Sequence, residues 1–330
     1  MRRTLGRSGI EVSALGIGCW AIGGPWWAGS QPLGWGEVDD AESVRALRRA
    51  LELGVTFYDT SDVYGTGHSE RILGQAFAGH RDEVVIATKW GNVFDEETRQ
   101  LTGTDGSAGH LRTAVEGSLR RLGTDHIDLY QLHLNDLPIP AALDLVGTLE
   151  ALVADGKIRA YGWSTDFADR AEAFAVAGSH VTAIQHTLSV LEDAPAVLDV
   201  VEKHDLASVN RGPLAMGLLT GKYTSSSTLG ADDVRGIAPE WLSLFKDGRP
   251  APRWLDHVAA VRDALTSDGR TLAQGALGWL WARSGRTVPI PGCRTVAQVE
   301  ENAGALAKGP LAPDAAAAVT ALLTRPHAGS

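Results

Sequence analysis

Cysteine, positive charge and long apolar runs are all scarce in this sequence, and each shortage removes a class of protein. Only Cys19 and Cys293 are present among 330 residues. Two thiols so far apart in the chain give neither a disulfide framework nor a metal cluster, and they suit a reducing compartment as free thiols. Lys and Arg number 30 against 40 Asp and Glu, a formal net charge of −10. Nucleic-acid binding needs clustered cations to displace counterions from phosphate, so no nucleic-acid partner is expected.

The start of the chain has no apolar stretch of about 7 to 15 residues before its first acid, Glu11, so no secretory signal is read there and a cytoplasmic protein is expected. Residues 12–36 carry no charge, but seven glycines, Pro25, Pro32 and four tryptophans interrupt them. A membrane helix is a continuous apolar run of roughly 20 residues, so this segment reads instead as a strand followed by an aromatic loop, with no membrane partner.

What is present is a core-forming composition, 44% hydrophobic and 21% charged, arranged in a repeating alternation. From Val38 onward, helical stretches with apolar residues three or four apart lead through a glycine into short β-branched runs with polar ends. In the first unit Asp39 or Asp40 caps a helix whose buried stripe is Val44, Leu47 and Leu51; Gly54 closes it, and a strand follows over residues 55–59. The same pattern predicts strands at 13–18, 55–59, 84–89, 127–133, 158–164, 181–186, 206–210 and 286–290. Helices fall between them, including 109–122 and 141–154. Eight β/α units close naturally into a barrel, so a single α/β domain over residues 1–330, a (β/α)8 TIM barrel with extended βα loops, is expected. Three long irregular stretches, 21–36, 91–107 and 223–253, follow strand ends and read as lids.

Barrel enzymes build their sites at the C-terminal ends of the strands. Here those ends carry Asp59, Lys89, His133, Ser164-Thr165, Gln185-His186 and Asn210-Arg211, so six strands deliver polar groups to one face. Tyr64 lies five residues beyond Asp59, within reach of Lys89. A tyrosine hydroxyl of ordinary pKa near 10 is a poor proton carrier at neutral pH; a nearby Lys cation lowers it, and reaching about 7 takes roughly 4 kcal/mol of differential interaction. Asp59 would keep Lys89 charged and oriented, and His133 would hydrogen-bond a substrate oxygen. The histidines show no metal-ligand spacing, so no metal is expected.

The segments Phe57-Tyr-Asp-Thr-Ser-Asp-Val-Tyr-Gly65, Ile86-Ala-Thr-Lys-Trp-Gly91 and Ile127-Asp-Leu-Tyr-Gln-Leu-His133 resemble the motifs of the aldo-keto reductases. The resemblance runs from Thr4-Leu-Gly-Arg-Ser-Gly9 to Glu301-Asn302 and implies a catalytic tetrad of Asp59, Tyr64, Lys89 and His133. It implies a nicotinamide cofactor, NADPH/NADP with NAD as the alternative, and NADPH-dependent reduction of an aldehyde or ketone to an alcohol with Tyr64 as general acid. Ser164, Thr165, which stands where the family carries Asn, and Gln185 would hold the carboxamide, and Gly18, Trp20 and Asp59 would also contact the cofactor. The segment from Arg211 to Lys222, with Gly212, Leu214 and Gly217, would clasp the pyrophosphate, and Arg211 replaces the usual aromatic ring against the nicotinamide. Gly292, Arg294, Gln298, Glu301 and Asn302 would hold the adenosine end, Arg294 taking the 2′-phosphate.

Trp20, Trp26, Trp27 and Trp90, with Tyr64 and His133, are expected to wall the pocket for a small carbonyl or sugar-like substrate. After the last helix only residues 325–330 remain, so the long C-terminal substrate loop of the steroid-reducing relatives is not expected. Two other activities fit the same resemblance: an NAD-dependent aldose or alcohol dehydrogenase, or a cofactor-binding regulatory subunit resembling the potassium-channel β subunits. A monomer is the default in the absence of a hydrophobic extension. No Gly-x-Gly-x-x-Gly follows a strand, so a doubly wound dinucleotide domain is not expected.

Overall fold

A computed structural model describes residues 1–237, 239 and 241–323 of the chain. Eight parallel strands form its centre: β1 (Gly16–Gly18), β2 (Phe57–Asp59), β3 (Val85–Trp90), β4 (Ile127–Leu132), β5 (Ile158–Ser164), β6 (Val181–Thr187), β7 (Ala207–Arg211) and β8 (Thr287–Pro289). They pair in chain order. A further parallel bridge, Gly18 with Gly292, brings the first strand back to the last, and the Gly18 amide donates to Pro291 O at 3.0 Å. This seam needs a glycine, since a Cβ on Gly18 would stand 2.7 Å from Ile290 O. The expected (β/α)8 barrel is therefore present, all eight strands lie where the sequence pattern puts them, and their ends shift by at most three residues.

Strand alternation divides the side chains between two apolar layers. Phe57, Val85, Ala87, Leu129, Ala160, Ala183, Val209 and Val288 fill the barrel interior. Tyr58, Ile86, Trp90, Tyr130, Tyr161 and Trp163 face outward into the helical layer. In that layer α1 (Asp40–Glu52) is capped by the Asp39 carboxylate, which accepts from Glu42 N, and of its expected stripe it buries Val44 and Leu47 while Leu51 is half-buried. Also in place are α2 (His68–Ala76), α3 (Ala108–Leu122), α4 (Val146–Ala154), α5 (Ala168–Ala177) and α6 (Pro195–Lys203), followed by α7 (Pro252–Leu265), α8 (Leu272–Arg283), α9 (Val296–Lys308) and α10 (Pro313–Leu323). The helix expected over 141–154 is broken: a short turn, Ile139–Leu143, precedes α4.

Two features depart from the sequence reading. An antiparallel hairpin, Arg2–Thr4 with Glu11–Ser13, precedes the barrel and sends Leu5, Ile10 and Val12 into the interior layer. Its Gly6, at φ 49°, lies against Thr182 O and Asp205 O, so the hairpin closes the N-terminal end of the barrel. The loops over 21–36 and 91–107 are not irregular. Trp27–Ala28, Gln31–Pro32, Asn92–Asp95 and Gln100–Thr104 form a four-stranded sheet, in which backbone hydrogen bonding satisfies groups that a water-exposed loop would leave to solvent. The third stretch holds a short helix, Val234–Ile237, and a small hairpin, Phe245–Lys246 with Arg249–Pro250. The expectation for residues 325–330 lies outside the described residues. Among the described residues no helix is long and apolar enough to cross a membrane.

Candidate active site

Lys89, at the inward-facing end of β3, is fully buried, and its ammonium makes three contacts. It donates to Asp59 Oδ2 at 2.6 Å, to Thr60 O at 2.8 Å and to the Tyr64 hydroxyl at 3.3 Å. The second Asp59 oxygen accepts from Gln185 Nε2 at 2.7 Å and Gln131 Nε2 at 3.1 Å. A buried carboxylate with three such donors and a buried ammonium with three acceptors are mutually satisfied, which low dielectric demands of charged groups. Gln131 was not anticipated from the sequence; its place on β4, two residues before His133, is the signal that could have found it.

Tyr64 is carried by a tight turn. Gly65 (φ 59°) follows it, and a Cβ there would stand 1.8 Å from Gly23 O, so only glycine lets this turn meet the loop after β1. The Tyr64 ring stacks on Trp20 with centroids 6.0 Å apart and meets the His133 ring edge-on at 5.8 Å. His133 Nδ1 lies 3.0 Å from Ser61 Oγ and 3.3 Å from Asn92 Nδ2.

The electrostatics differ from expectation at one residue. Burial holds the Tyr64 hydroxyl above its ordinary value, and the opposing pull of Lys89 does not overcome it. The sequence reading weighed the cation without the desolvation, and desolvation is the larger effect. Burial alone would lower the Lys89 ammonium; Asp59 and Tyr64 reverse this and hold it above its usual value. His133 is held well below the ordinary histidine value by burial, reinforced by Lys89 and Arg211. At neutral pH the site therefore contains a protonated tyrosine, an ammonium paired with a carboxylate, and a neutral imidazole. Such a set can hold a carbonyl oxygen and deliver a proton to it.

Arg211 ends β7 beside this group. Its guanidinium reaches Ser164 Oγ and Gln185 O, both at 3.4 Å, and pairs with Asp166, a carboxylate the sequence did not single out. Thr165 is buried and spends its hydroxyl on Asn135 O at 2.7 Å. Beyond Arg211 the segment Ala215–Thr220 turns through three left-handed residues, Ala215, Met216 and Gly217. Gly212, also left-handed at φ 65°, opens on space in which a Cβ would meet nothing, and Leu214 is buried below it.

Lys222 lies in the fields of Arg235 and Arg294, and burial together with those two cations lowers its ammonium. Arg235, unforeseen from the sequence, is buried, pairs with Asp233 and stacks over Trp35 at 4.2 Å. Arg294 donates to Trp35 O at 2.9 Å and to Glu37 O. Gln298 Oε1 accepts from Arg294 N at 2.8 Å, and Thr295 caps α9. Asn302 is buried on that helix, and the Glu301 carbonyl accepts from Gln274. Lys222, Arg235 and Arg294, beside a glycine-rich left-handed turn, fit a phosphate-bearing dinucleotide.

The expected aromatic wall is only partly assembled. Trp20 is half-buried against Tyr64 and is joined by Trp35 at 5.4 Å and by the exposed Trp241 at 6.4 Å. Trp26 is buried and Trp27 lies half-buried in the small sheet. Trp90 is fully buried and stacks on Tyr130 in the helical layer, because its strand neighbour Lys89 takes the inward direction.

The family model for the aldo/keto reductase family matches residues 14–324. The chain belongs to the aldo/keto reductase family. Its members are oxidoreductases of carbonyl and alcohol groups, and the chain is of that kind. It is 34% identical over 300 residues to the Bacillus subtilis protein named Aldo-keto reductase YhdN, covering 89% of this chain and 85% of that one. Among solved structures it is similar to the glycerol dehydrogenase of Gluconobacter oxydans, at 29% identity and TM-score 0.79, covering 97% of this chain and 95% of that one. It is also similar to an aldo-keto reductase of Klebsiella pneumoniae solved in complex with NADPH, at 25% identity and TM-score 0.69, covering 100% and 98%.

Proposed function

We propose that this aldo-keto reductase, acting as one barrel domain, reduces an aldehyde or ketone to the alcohol with Tyr64 as proton donor. The observation that carries the reading is the group at the mouth of the barrel in which the buried Lys89 ammonium joins Asp59 at 2.6 Å and Tyr64 at 3.3 Å, with the His133 ring edge-on to Tyr64 at 5.8 Å. When bound, NADPH supplies the hydride; Ser164, Gln185 and Arg211 would hold its nicotinamide end, Gly212, Gly217 and Lys222 its pyrophosphate, and Arg294, Gln298 and Asn302 its adenosine end.

The chain's own residues handle charge and proton. The Tyr64 hydroxyl donates to the carbonyl oxygen and gives up its proton as negative charge develops there. Lys89, at 3.3 Å, stabilises the tyrosinate left behind, and Asp59 keeps that ammonium charged and fixed. Neutral His133 orients the same oxygen by a hydrogen bond. The aromatic faces of Trp20 and Trp241 favour a substrate with an apolar or planar side. Run in reverse, the same residues oxidise an alcohol, as the likeness to a glycerol dehydrogenase supports; Tyr64, kept protonated by burial, favours reduction at neutral pH.

The test is NADPH consumption against a panel of aldehydes and ketones, with Tyr64→Phe beside the wild type. Loss of turnover by about a hundredfold or more with NADPH binding retained is expected from removal of a general acid. Comparable turnover by Tyr64→Phe overturns the assignment.

A further inference from the structure

A second buried carboxyl lies directly behind the imidazole. Asp62 is 1% exposed, and among the described residues no Lys or Arg stands within ion-pair distance of it. Its neighbour Glu70, also buried, takes the available partners: Arg121 Nε at 2.7 Å and Thr88 Oγ1 at 2.6 Å. The Asp62 carboxyl is left with the Val63 N–H and, at 3.2 Å, the Ser61 hydroxyl. The other neighbour of that hydroxyl is His133 Nδ1, at 3.0 Å. One rotatable O–H thus sits between a carboxyl and the rear nitrogen of the imidazole.

A serine hydroxyl has one proton, so it donates to only one of these neighbours at a time. If Asp62 is ionised, Ser61 donates to the carboxylate and offers its lone pair to Nδ1, which favours the tautomer protonated there. If Asp62 is protonated, it donates to Ser61 Oγ, Ser61 donates to Nδ1, and the imidazole proton is kept on Nε2. Only the second arrangement leaves His133 with an N–H for a substrate oxygen. Asn92 Nδ2, at 3.3 Å from Nδ1, donates in the same sense.

We propose that Asp62 is a positioning residue which, through the Ser61 hydroxyl that stands between it and Nδ1, fixes His133 as the Nε2–H tautomer. This rests on the assignment of His133 as the hydrogen-bond donor to the substrate. Asp62 acts only through Ser61 and touches no reacting atom. The charged and titratable groups around the relay act consistently. Burial and Glu70 on α2 favour the neutral acid, while Arg121 on α3 opposes them; Tyr130 on β4 also feels the Asp62 charge. On the imidazole side, Lys89 and Arg211 keep the ring neutral. When Asp62 ionises, its proton leaves to solvent and the Ser61 hydroxyl turns toward the carboxylate. The imidazole proton is then released at Nε2 and regained at Nδ1, leaving the ring neutral throughout.

The test is the nitrogen-15 NMR signature of His133, which distinguishes the two neutral tautomers whether or not a substrate is known, recorded across pH for wild type, Asp62→Asn and Ser61→Ala. In Asp62→Asn the amide oxygen can accept from Val63 and its N–H₂ faces Ser61, so the variant mimics the protonated acid. The expected result is an Nε2–H ring in the wild type near neutral pH that gains Nδ1–H character as pH rises. In Asp62→Asn the Nε2–H form persists across that range, and in Ser61→Ala the dependence on Asp62 is lost. Where a carbonyl substrate is found, kcat follows the same pattern: its alkaline decline begins at higher pH in Asp62→Asn, where only the ionisation of Tyr64 remains to cause it, and Ser61→Ala loses roughly three- to tenfold at neutral pH, the scale of one hydrogen bond. An Nδ1–H ring in the wild type at neutral pH, or an identical pH course in wild type and Asp62→Asn, overturns the proposal. Absence of turnover in every form would instead count against the reductase reading and leave the tautomer result standing.

Discussion

Replacing Lys89 by Met should be far more damaging than replacing Lys89 and Asp59 together. At 2.6 Å the pair attracts by about 6 kcal/mol at an effective dielectric of about 20. That attraction offsets a desolvation cost of several kcal/mol for each ion, so the net worth of the intact pair is small. Removing the ammonium alone leaves the Asp59 carboxylate buried, with the amides of Gln131 and Gln185 as its remaining side-chain donors. The expected cost of Lys89→Met is about 3 to 5 kcal/mol of folding stability. In Lys89→Met with Asp59→Asn the buried position is neutral and its oxygen still accepts from both glutamines, so at least half of that loss should return. Equilibrium urea unfolding of the wild type, both single variants and the double variant closes the cycle. A cost below about 1 kcal/mol for Lys89→Met, or a double variant as unstable as Lys89→Met, refutes the reasoning that desolvation and Coulomb attraction nearly balance here. Both Lys89 variants should lack reductase turnover, whatever their stability.

Arg294→Ala should weaken NADPH binding by about tenfold or more, the scale of one charge-assisted hydrogen bond, and leave NADH nearly unchanged; titration of tryptophan fluorescence with each cofactor checks this, and equal losses would remove Arg294 from the 2′-phosphate site. Gly65→Ala should lower the melting temperature and raise KM together, because its Cβ would overlap Gly23 O at 1.8 Å and a left-handed φ of 59° is itself strained for alanine; a variant as stable and active as the wild type would contradict the close approach. His186 supplies a pH test: burial pushes its imidazole down to about 4 from 6.5. The unfolded chain binds that proton first, so the contribution of His186 is fully present above about pH 6.5 and falls as pH drops toward 4, by about 3 kcal/mol in all. Urea unfolding between pH 7 and 4 should show this loss in the wild type and a shallower one in His186→Gln; parallel curves would refute it.

Much of the molecule was legible in the sequence because short-range periodicity reports it directly. Each β-branched run followed by a helical stripe marked a βα unit, and eight such units leave a closed barrel as the arrangement without sheet edges. Polar residues at the run ends then fell at one mouth, and the motifs carrying Asp59, Tyr64, Lys89 and His133 pointed, by their resemblance to the aldo-keto reductases, to the proposed chemistry. The small sheet was harder to see, because strands of two residues such as Trp27–Ala28 and Gln31–Pro32 are too short to show alternation. The N-terminal hairpin was hidden for a similar reason: Leu5, Ile10 and Val12 become a buried set only when the barrel floor receives them.

The sequence by itself determined the number of β/α units and the polar residues at the strand ends, which follow from residue type and spacing along one chain, and the resemblance of its motifs pointed to the proposed tetrad. Only the tertiary structure decided quantities that depend on what surrounds a group in three dimensions. It gave Tyr64 a raised rather than lowered proton affinity, because the desolvation of a hydroxyl depends on the atoms enclosing it. It turned Trp90 into the helical layer, placed Arg235 beside Lys222 and Arg294, and set Asp62 behind His133 through one serine hydroxyl. Distances and burial between residues far apart in the chain fix these outcomes, and no local pattern encodes them.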